Sequence, residues 1–137
     1  MKEQKIKIIV TMIGLDGHTT GAEVISRVLR DAGMEVVYLG VNQTPTMIVN
    51  AAIQEDVDIV GISAHASNYS LIEEVVALLK SNDIGDVPVI VGGNVPRHTA
   101  IDLKSKGIAE VFAPGASGEA IVTYIKAHAR GRNERAA

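Results

Sequence analysis

The chain lacks several residue types on which common binding sites depend. It has no cysteine and no tryptophan, and only one phenylalanine and three tyrosines among its 137 residues. Without cysteine there can be neither disulfides nor thiolate metal sites. With so few aromatic rings, a site that stacks planar ligands, as in flavin binding or the binding of single-stranded nucleic acid, is not expected.

Charge and hydropathy exclude further classes. The formal net charge is −3 and no basic patch is visible, so nothing predicts a nucleic-acid partner. The sequence shows no apolar run of about 18 residues and no apolar signal segment near Met1. We therefore expect no membrane span or membrane partner, and a cytoplasmic location.

The length and the 47% hydrophobic content predict one domain with one core over residues 1–137. From about residue 129 the periodicity is lost, which predicts a flexible tail. A contact arm for a partner is the alternative interpretation of that tail.

Short apolar runs alternate with segments of helical period, which is typical of βα units around a parallel sheet. We predict strands at residues 5–12, 35–39, 58–62, 87–91 and 110–112, and a fourth helix over residues 96–106. The pattern predicts a doubly wound, flavodoxin-like α/β fold with a five-stranded parallel sheet in the order 2-1-3-4-5. Its switch point lies between the first and third strands, so the site is expected at residues 13–20 and 63–68, flanked by residues 92–94.

Two functions that use this fold do not match the residues. A phosphorylation receiver needs acidic residues after the first strand and an aspartate after the third, where this chain has Met12-Ile13 and Ser63-Ala64. A dinucleotide site needs Gly-x-Gly-x-x-Gly, whereas the glycines of the first loop are spaced three and four residues apart.

The first loop instead presents Asp16 and, two residues later, His18 among three glycines. A carboxylate that reaches the second nitrogen of a metal-binding imidazole fixes its tautomer and strengthens it as a ligand. We interpret His18 as a metal ligand and Asp16 as its orienting partner. A loop histidine bonded only to nearby backbone is the alternative.

The pattern Asp16-x-His18-x-x-Gly21 resembles the cobalamin-binding motif of carbon-skeleton mutases and corrinoid methyltransferases. Over residues 5–128 the chain is similar to the C-terminal cobalamin domain of acyl-CoA mutases of the methylmalonyl-CoA mutase type. Four segments carry this resemblance in order and spacing: Gly14-Leu15-Asp16-Gly17-His18, Gln43-Thr44-Pro45, Val60-Gly61-Ile62-Ser63 and Gly92-Gly93.

The resemblance implies the small, adenosylcobalamin-binding subunit of an acyl-CoA mutase, which catalyses a radical carbon-skeleton rearrangement and is inactive alone. A separate large TIM-barrel subunit would bind the acyl-CoA. His18 would bind cobalt in place of the cofactor's benzimidazole, and that nucleotide tail would enter a cleft bordered by Ser63. The cofactor-binding residues implied are Leu15, Asp16, Gly17, His18, Thr19, Gly21, Ser63, His65, Gly92, Gly93, Asn94 and Gly115.

Two positions depart from the family pattern. His65 stands where many relatives have leucine, and it is interpreted as lining the rim of the nucleotide cleft, bonding a corrin amide or facing a partner. An exposed loop histidine without a role in binding is the alternative, and His65 is not assigned to cobalt. Ala116 follows the Pro-Gly turn where threonine is frequent, and Ser117 is its expected replacement. Thr44 and Pro45 are interpreted as the N-cap and first turn of the second helix.

Three other interpretations stay open at this point. A glutamate-mutase-type small subunit shares the motif, although the segments around Asp16 and Gln43 favour acyl-CoA mutases. A corrinoid carrier for methyl transfer would be expected to have a helical cap ahead of the motif. A zinc site would use His18, His65 and His98, which follow strands one, three and four.

Overall fold

A computed structural model describes residues 5–14, 19–65 and 69–130. Its strands and helices alternate along the chain. They are β1 Lys7–Met12, α1 Thr20–Asp31, β2 Glu35–Gly40, α2 Pro45–Glu55, β3 Ile59–His65, α3 Tyr69–Ser81, β4 Val89–Asn94, α4 Arg97–Ser105, β5 Glu110–Val111 and α5 Gly118–His128.

The five strands form one parallel sheet in the order β2-β1-β3-β4-β5. The predicted fold class and strand order are therefore confirmed. The β-branched residues that dominate β1, β3 and β4 suit a sheet covered on both faces, because a strand buried on both sides needs apolar side chains at successive positions.

The sheet separates two apolar clusters. The larger one packs α2, α3 and α4 against one face and includes Ile9, Val60 and Val91. The smaller one packs α1 and α5 against the other face and includes Ile8 and Ile90. Alternate residues of each strand thus enter opposite clusters, as the two-residue period of a strand requires.

The third and fourth strands are longer at their carboxyl ends than the sequence predicts. Ser63, Ala64 and His65 continue β3 and pair in register with Gly92, Gly93 and Asn94 of β4. The predicted ends at residues 62 and 91 are wrong, because backbone pairing needs only N–H and C=O groups, which small or polar residues supply as well as valine does. The predicted starts of strands one, three and four, at residues 5, 58 and 87, are one or two residues early.

The helix boundaries follow ordinary capping chemistry. Thr44 caps α2, its hydroxyl accepting a hydrogen bond from the Met47 amide at 3.1 Å, and Pro45 opens the helix as predicted. Ser117 caps α5 by accepting from the Ala120 amide at 3.0 Å. The serine hydroxyl expected to replace a family threonine is therefore engaged at a helix start.

Arg130 lies in the stretch assigned to the tail by sequence, yet it is anchored at the amino edge of the sheet. Its amide donates to the Asp58 carbonyl at 2.9 Å. Its guanidinium donates to the Val57 carbonyl at 3.0 Å and lies 3.2 Å from the Asp56 carboxylate. The Arg130 side chain is only 10% exposed, and its contacts hold the end of α5 against the residues that directly precede β3.

Candidate functional site

A cavity of about 410 Å³ lies between the sheet and the helices α1 and α5. It runs along β1, β3 and β4, on the face that carries the smaller apolar cluster, and its volume falls within the usual range for a small-molecule site. The residues that line it come from five elements and the turn before α5. They are Ile8, Val10, Gly21, Ala22, Val24, Ile25, Val28, Leu29, Gly61, Ile62, Ser63, His65, Ile90, Val91, Gly92, Gly93, Phe112, Ala113, Pro114, Gly115, Ala116, Gly118, Ile121 and Ile125.

Three glycines of the lining leave room that a side chain would occupy. A Cβ atom built at Gly21, Gly92 or Gly115 would have no atom within 4 Å. Gly21 stands in the first turn of α1, Gly92 on β4, and Gly115 in the turn before α5. The space beside three separate elements is therefore kept open by the absence of side chains.

Gly93 has a different role from its neighbour. Its φ is +102°, and a Cβ atom there would overlap the carbonyl oxygen of Ala64 on the adjacent strand. Residues other than glycine are strained at such a φ. Gly92 therefore keeps the cavity open, whereas Gly93 is glycine because its backbone conformation and the neighbouring strand exclude a side chain.

Among the described residues of the lining, the polar side chains are Ser63 and His65, both on β3, and there is no aspartate, glutamate, lysine or arginine. Within the described part of the chain the Ser63 hydroxyl makes no hydrogen bond to another residue. The cavity can therefore bind a bulky, neutral and largely apolar group while offering it one hydroxyl and one imidazole. Among the described lining residues there is no carboxylate or ammonium for acid–base chemistry.

Hydrogen bonds hold the chain where the loop predicted to carry the metal ligand leaves the sheet. The Gly14 amide donates to the Gln43 carbonyl at 2.8 Å, which ties the end of β1 to the loop after β2. The Thr11 hydroxyl lies 2.8 Å from the Met12 carbonyl and 3.1 Å from that of Gly40, where the register of β1 and β2 shifts.

The side chain of Gln43 helps to fold the loop that receives Gly14. Its amide nitrogen lies 3.2 Å from the Val41 carbonyl and 3.4 Å from the Leu39 carbonyl. The Gln43-Thr44-Pro45 segment, which the sequence indicates only as a helix start, thus also holds the chain at Gly14.

The structure brings together half of the predicted cofactor-binding residues. The cavity is lined by Gly21, Ser63, His65, Gly92, Gly93 and Gly115. Thr19 is the N-cap residue of α1 without a side-chain cap bond, and Asn94 is exposed at the end of β4, so neither lines the cavity. Leu15, Asp16, Gly17 and His18 lie outside the described residues, and so do Ala66, Ser67 and Asn68.

The wall formed by α5 is the part that sequence reasoning missed, and in the turn before it only Gly115 was predicted to bind the cofactor. Phe112, Ala113, Pro114 and Gly115 line the cavity together with Ile121 and Ile125 of α5. The available signal is the periodic apolar face of the last helix, but the same period is typical of a helix that packs in a core. Gly118 allows α5 to approach α1 closely, because a Cβ there would lie 2.9 Å from a methyl group of Val28.

The histidines of the zinc interpretation are only partly described. His65 is at the end of β3, while His98 is exposed on α4. Among residues 5–14, 19–65 and 69–130, no group of three or more histidine, aspartate and glutamate side chains is arranged to hold a metal ion. None of the helices in these ranges is long and apolar enough to cross a membrane.

A tyrosine of α5 has a pKa that departs from its usual value. Burial, with a smaller contribution from the Glu110 carboxylate, raises the pKa of the Tyr124 phenol above its usual value. The Tyr124 hydroxyl donates to the Ala109 carbonyl at 3.2 Å, and its ring stacks on His128. This group stabilises the outer side of α5.

The doubly wound fold and its neutral cavity at the switch point define a ligand-binding domain. Residues 6–123 match the family model described as the B12 binding domain. The chain belongs to this family, which confirms the family predicted from its sequence motifs.

Curated relatives agree with this membership. The chain is 41% identical over 122 residues to the pivalyl-CoA mutase small subunit of Xanthobacter autotrophicus, covering 89% of this chain and 82% of that one. It is 37% identical over 136 residues to the 2-hydroxyisobutanoyl-CoA mutase small subunit of Aquincola tertiaricarbonis, covering 98% and 100%. It is also 40% identical over 110 residues to ethylmalonyl-CoA mutase of Cereibacter sphaeroides, covering 80% of this chain but 17% of that longer protein.

Solved structures share the fold at lower identity. A cobalamin-binding protein from Desulfitobacterium hafniense DCB-2 superposes with a TM-score of 0.79 at 21% identity, over 90% of this chain and 59% of that one. A response regulator from Desulfuromonas acetoxidans gives a TM-score of 0.70 at 15% identity, over 89% and 94%. These two likenesses establish the architecture alone, since one fold serves both classes.

Proposed function

We propose that this chain is the cobalamin-binding small subunit of an adenosylcobalamin-dependent acyl-CoA mutase. The observation that carries the proposal is the neutral cavity beside β3, in a chain whose relatives are named as small subunits of acyl-CoA mutases. Those names favour an acyl-CoA mutase over a glutamate-mutase-type subunit or a methyl carrier.

The described residues fit the nucleotide tail of a corrinoid. An aromatic base is bulky, flat and apolar on its faces, and the cavity offers apolar walls with open space at Gly21, Gly92 and Gly115. The Ser63 hydroxyl supplies a hydrogen bond for a ring nitrogen. When bound, adenosylcobalamin supplies the organic radical chemistry, while the protein binds and orients it.

His18 is proposed as the cobalt ligand and Asp16 as the residue that orients it, on the strength of the sequence motif. The described ends of this loop support the assignment. Gly14 is held by Gln43 at one end, and Thr19 leads at the other into the helix whose Gly21 lines the cavity. Leu15 and Gly17 are proposed to contact the corrin from the same loop.

A large subunit is proposed to bind the acyl-CoA in a TIM barrel and to close the reaction to water. The support for this is the family resemblance together with two relatives that are named as small subunits of mutases. The cavity of this chain is accounted for by the tail of the cofactor. We propose the cytoplasm as the location of the complex.

The test of this function is cobalt coordination in the purified full chain. The protein, loaded with cobalamin and reduced to the cobalt(II) form, is measured by electron paramagnetic resonance with natural and ¹⁵N-labelled histidine. We expect the nitrogen splitting of the wild type to change with the label, and the change to be lost in His18→Ala. His98→Ala, which removes an exposed histidine of α4, is the matched control and should behave as wild type.

A wild-type spectrum that does not respond to the label would reject His18 as the ligand. A chain that retains no corrinoid at all would reject the function itself. Loading with methylcobalamin in parallel with adenosylcobalamin distinguishes a methyl carrier from a mutase subunit.

A further inference from the structure

The cavity-facing side chains of β3 become larger and more polar toward the carboxyl edge of the sheet. Gly61, Ser63 and His65 line the cavity as alternate residues on one face of the strand, and Ile62 between them also borders it. At Gly61 a Cβ would meet the Ile9 carbonyl oxygen at 3.4 Å and the side chains of Ile8 and Ile90 at 3.6 and 3.8 Å, so this end of the cavity is closed and the side chains bordering it are apolar.

His65 marks the open end of the same row. It is the last residue of β3 and pairs in register with Asn94, which is exposed at the end of β4. Two residues of strand span about 6–7 Å, so the backbone of His65 lies that far beyond Ser63 along β3. The cavity is thus apolar at depth, carries one hydroxyl midway and has an imidazole at its rim.

The nucleotide tail of a corrinoid has a matching polarity. Its aromatic base is neutral, whereas the ribose and the phosphodiester that connect it to the corrin carry hydroxyl groups and a negative charge. An apolar pocket that received this tail would need donors at the rim rather than at depth, since a desolvated anion without a partner is costly.

We propose that His65 binds the ribose–phosphate part of the nucleotide tail, while Ser63 serves the base below it. This inference rests on the proposed function and adds to it a determinant of tail recognition. An imidazole at the rim of an otherwise apolar lining gives the charged part of the ligand an N–H donor.

The experiment compares two corrinoids, cobalamin and cobinamide, the latter lacking the nucleotide tail. Affinities of the full chain are measured by absorbance titration for wild type, His65→Leu and His65→Gln. His98→Leu is the matched control, because it makes the same substitution at an exposed histidine outside the cavity. Circular dichroism establishes that each variant is folded.

We expect His65→Leu to bind cobalamin roughly 10- to 100-fold more weakly, as expected for the loss of a hydrogen bond to a charged group. Its affinity for cobinamide should equal that of wild type. His65→Gln, which keeps an N–H donor, should recover part of the cobalamin affinity, and His98→Leu should change neither value.

Equal weakening of both corrinoids in His65→Leu would overturn the inference, because His65 would then act on the corrin. Unchanged cobalamin affinity in both His65 variants would also overturn it. In either case a wild type that binds cobalamin leaves the proposed function intact. A wild type that binds neither corrinoid would overturn both.

Discussion

Two adjacent glycines on β4 are expected to respond in opposite ways to the addition of a side chain. Gly93→Ala places a Cβ at a φ of +102° and against the Ala64 carbonyl oxygen. Strain at such a backbone conformation costs about 1–3 kcal/mol, and overlap with packed neighbours costs about 1–3 kcal/mol more. A loss of about 2–6 kcal/mol is a large part of the ~5–15 kcal/mol that stabilises a typical domain.

Gly92→Val has the reverse consequence. The new Cβ enters open space, and replacing a strand glycine removes an entropic cost of about 0.5–1 kcal/mol relative to alanine. The free energy of unfolding should therefore stay the same or rise slightly. The valine methyl groups occupy the cavity. Overpacking of this kind costs about 1–3 kcal/mol of binding free energy, so cobalamin affinity should fall roughly 10- to 100-fold.

Urea unfolding followed by circular dichroism gives the stabilities, and absorbance titration with cobalamin gives the affinities. Ala77→Val, on the exposed side of α3, is the control for adding a β-branched side chain away from the cavity. Equal destabilisation of the two glycine variants would refute the division of roles. Wild-type cobalamin affinity in Gly92→Val would refute the placement of the tail.

Three further outcomes follow from contacts outside the cavity. Arg130→Met should lower the free energy of unfolding by about 1–3 kcal/mol, because it removes a donor to a backbone carbonyl from a nearly buried position. Arg27→Met, at an exposed position, is the control, and equal urea midpoints for the two variants would contradict the anchoring role of Arg130. Gln43→Ala should speed hydrogen exchange at the Gly14 amide by roughly 5- to 10-fold, because losing the side-chain hydrogen bonds of Gln43 costs about 1 kcal/mol of local stability. Unchanged exchange would show that the backbone alone holds the loop. Burial raises the pKa of Tyr124 in the folded state, so its contribution to the free energy of unfolding should be fully present below about pH 10 and should be lost as pH rises through the folded pKa. If a Tyr124→Phe variant showed the same alkaline decline in urea titrations, this phenol would be excluded as the cause.

The strand order could be predicted from sequence because each apolar run was separated from the next by a helix of recognisable period. The ends of β3 and β4 could not. Ser63 and Gly92 look like strand terminators by residue type, yet they pair with each other across the sheet. Pairing of neighbouring backbones, which depends on tertiary proximity, overrides local propensity at these positions.

The cavity was predictable only in part. Sequence placed Ser63, Gly92 and Gly21 near one site because their strands and loops share the switch point. It did not reveal the contribution of α5, since an apolar helix face that lines a cavity has the same period as one that packs in a core. The difference between Gly92 and Gly93 likewise depends on a backbone angle and on the position of the neighbouring strand.

The two apolar clusters on opposite faces of the sheet differ in what they must accommodate. The larger cluster, under α2, α3 and α4, is filled by the chain's own side chains, while the smaller one beside α1 and α5 borders the cavity. Substitutions at open positions of the cavity wall, such as Gly92, should therefore leave most of the folding free energy in place. Descendants of this domain can accordingly diverge in which ligand they accept on one side while inheriting an unaltered scaffold on the other.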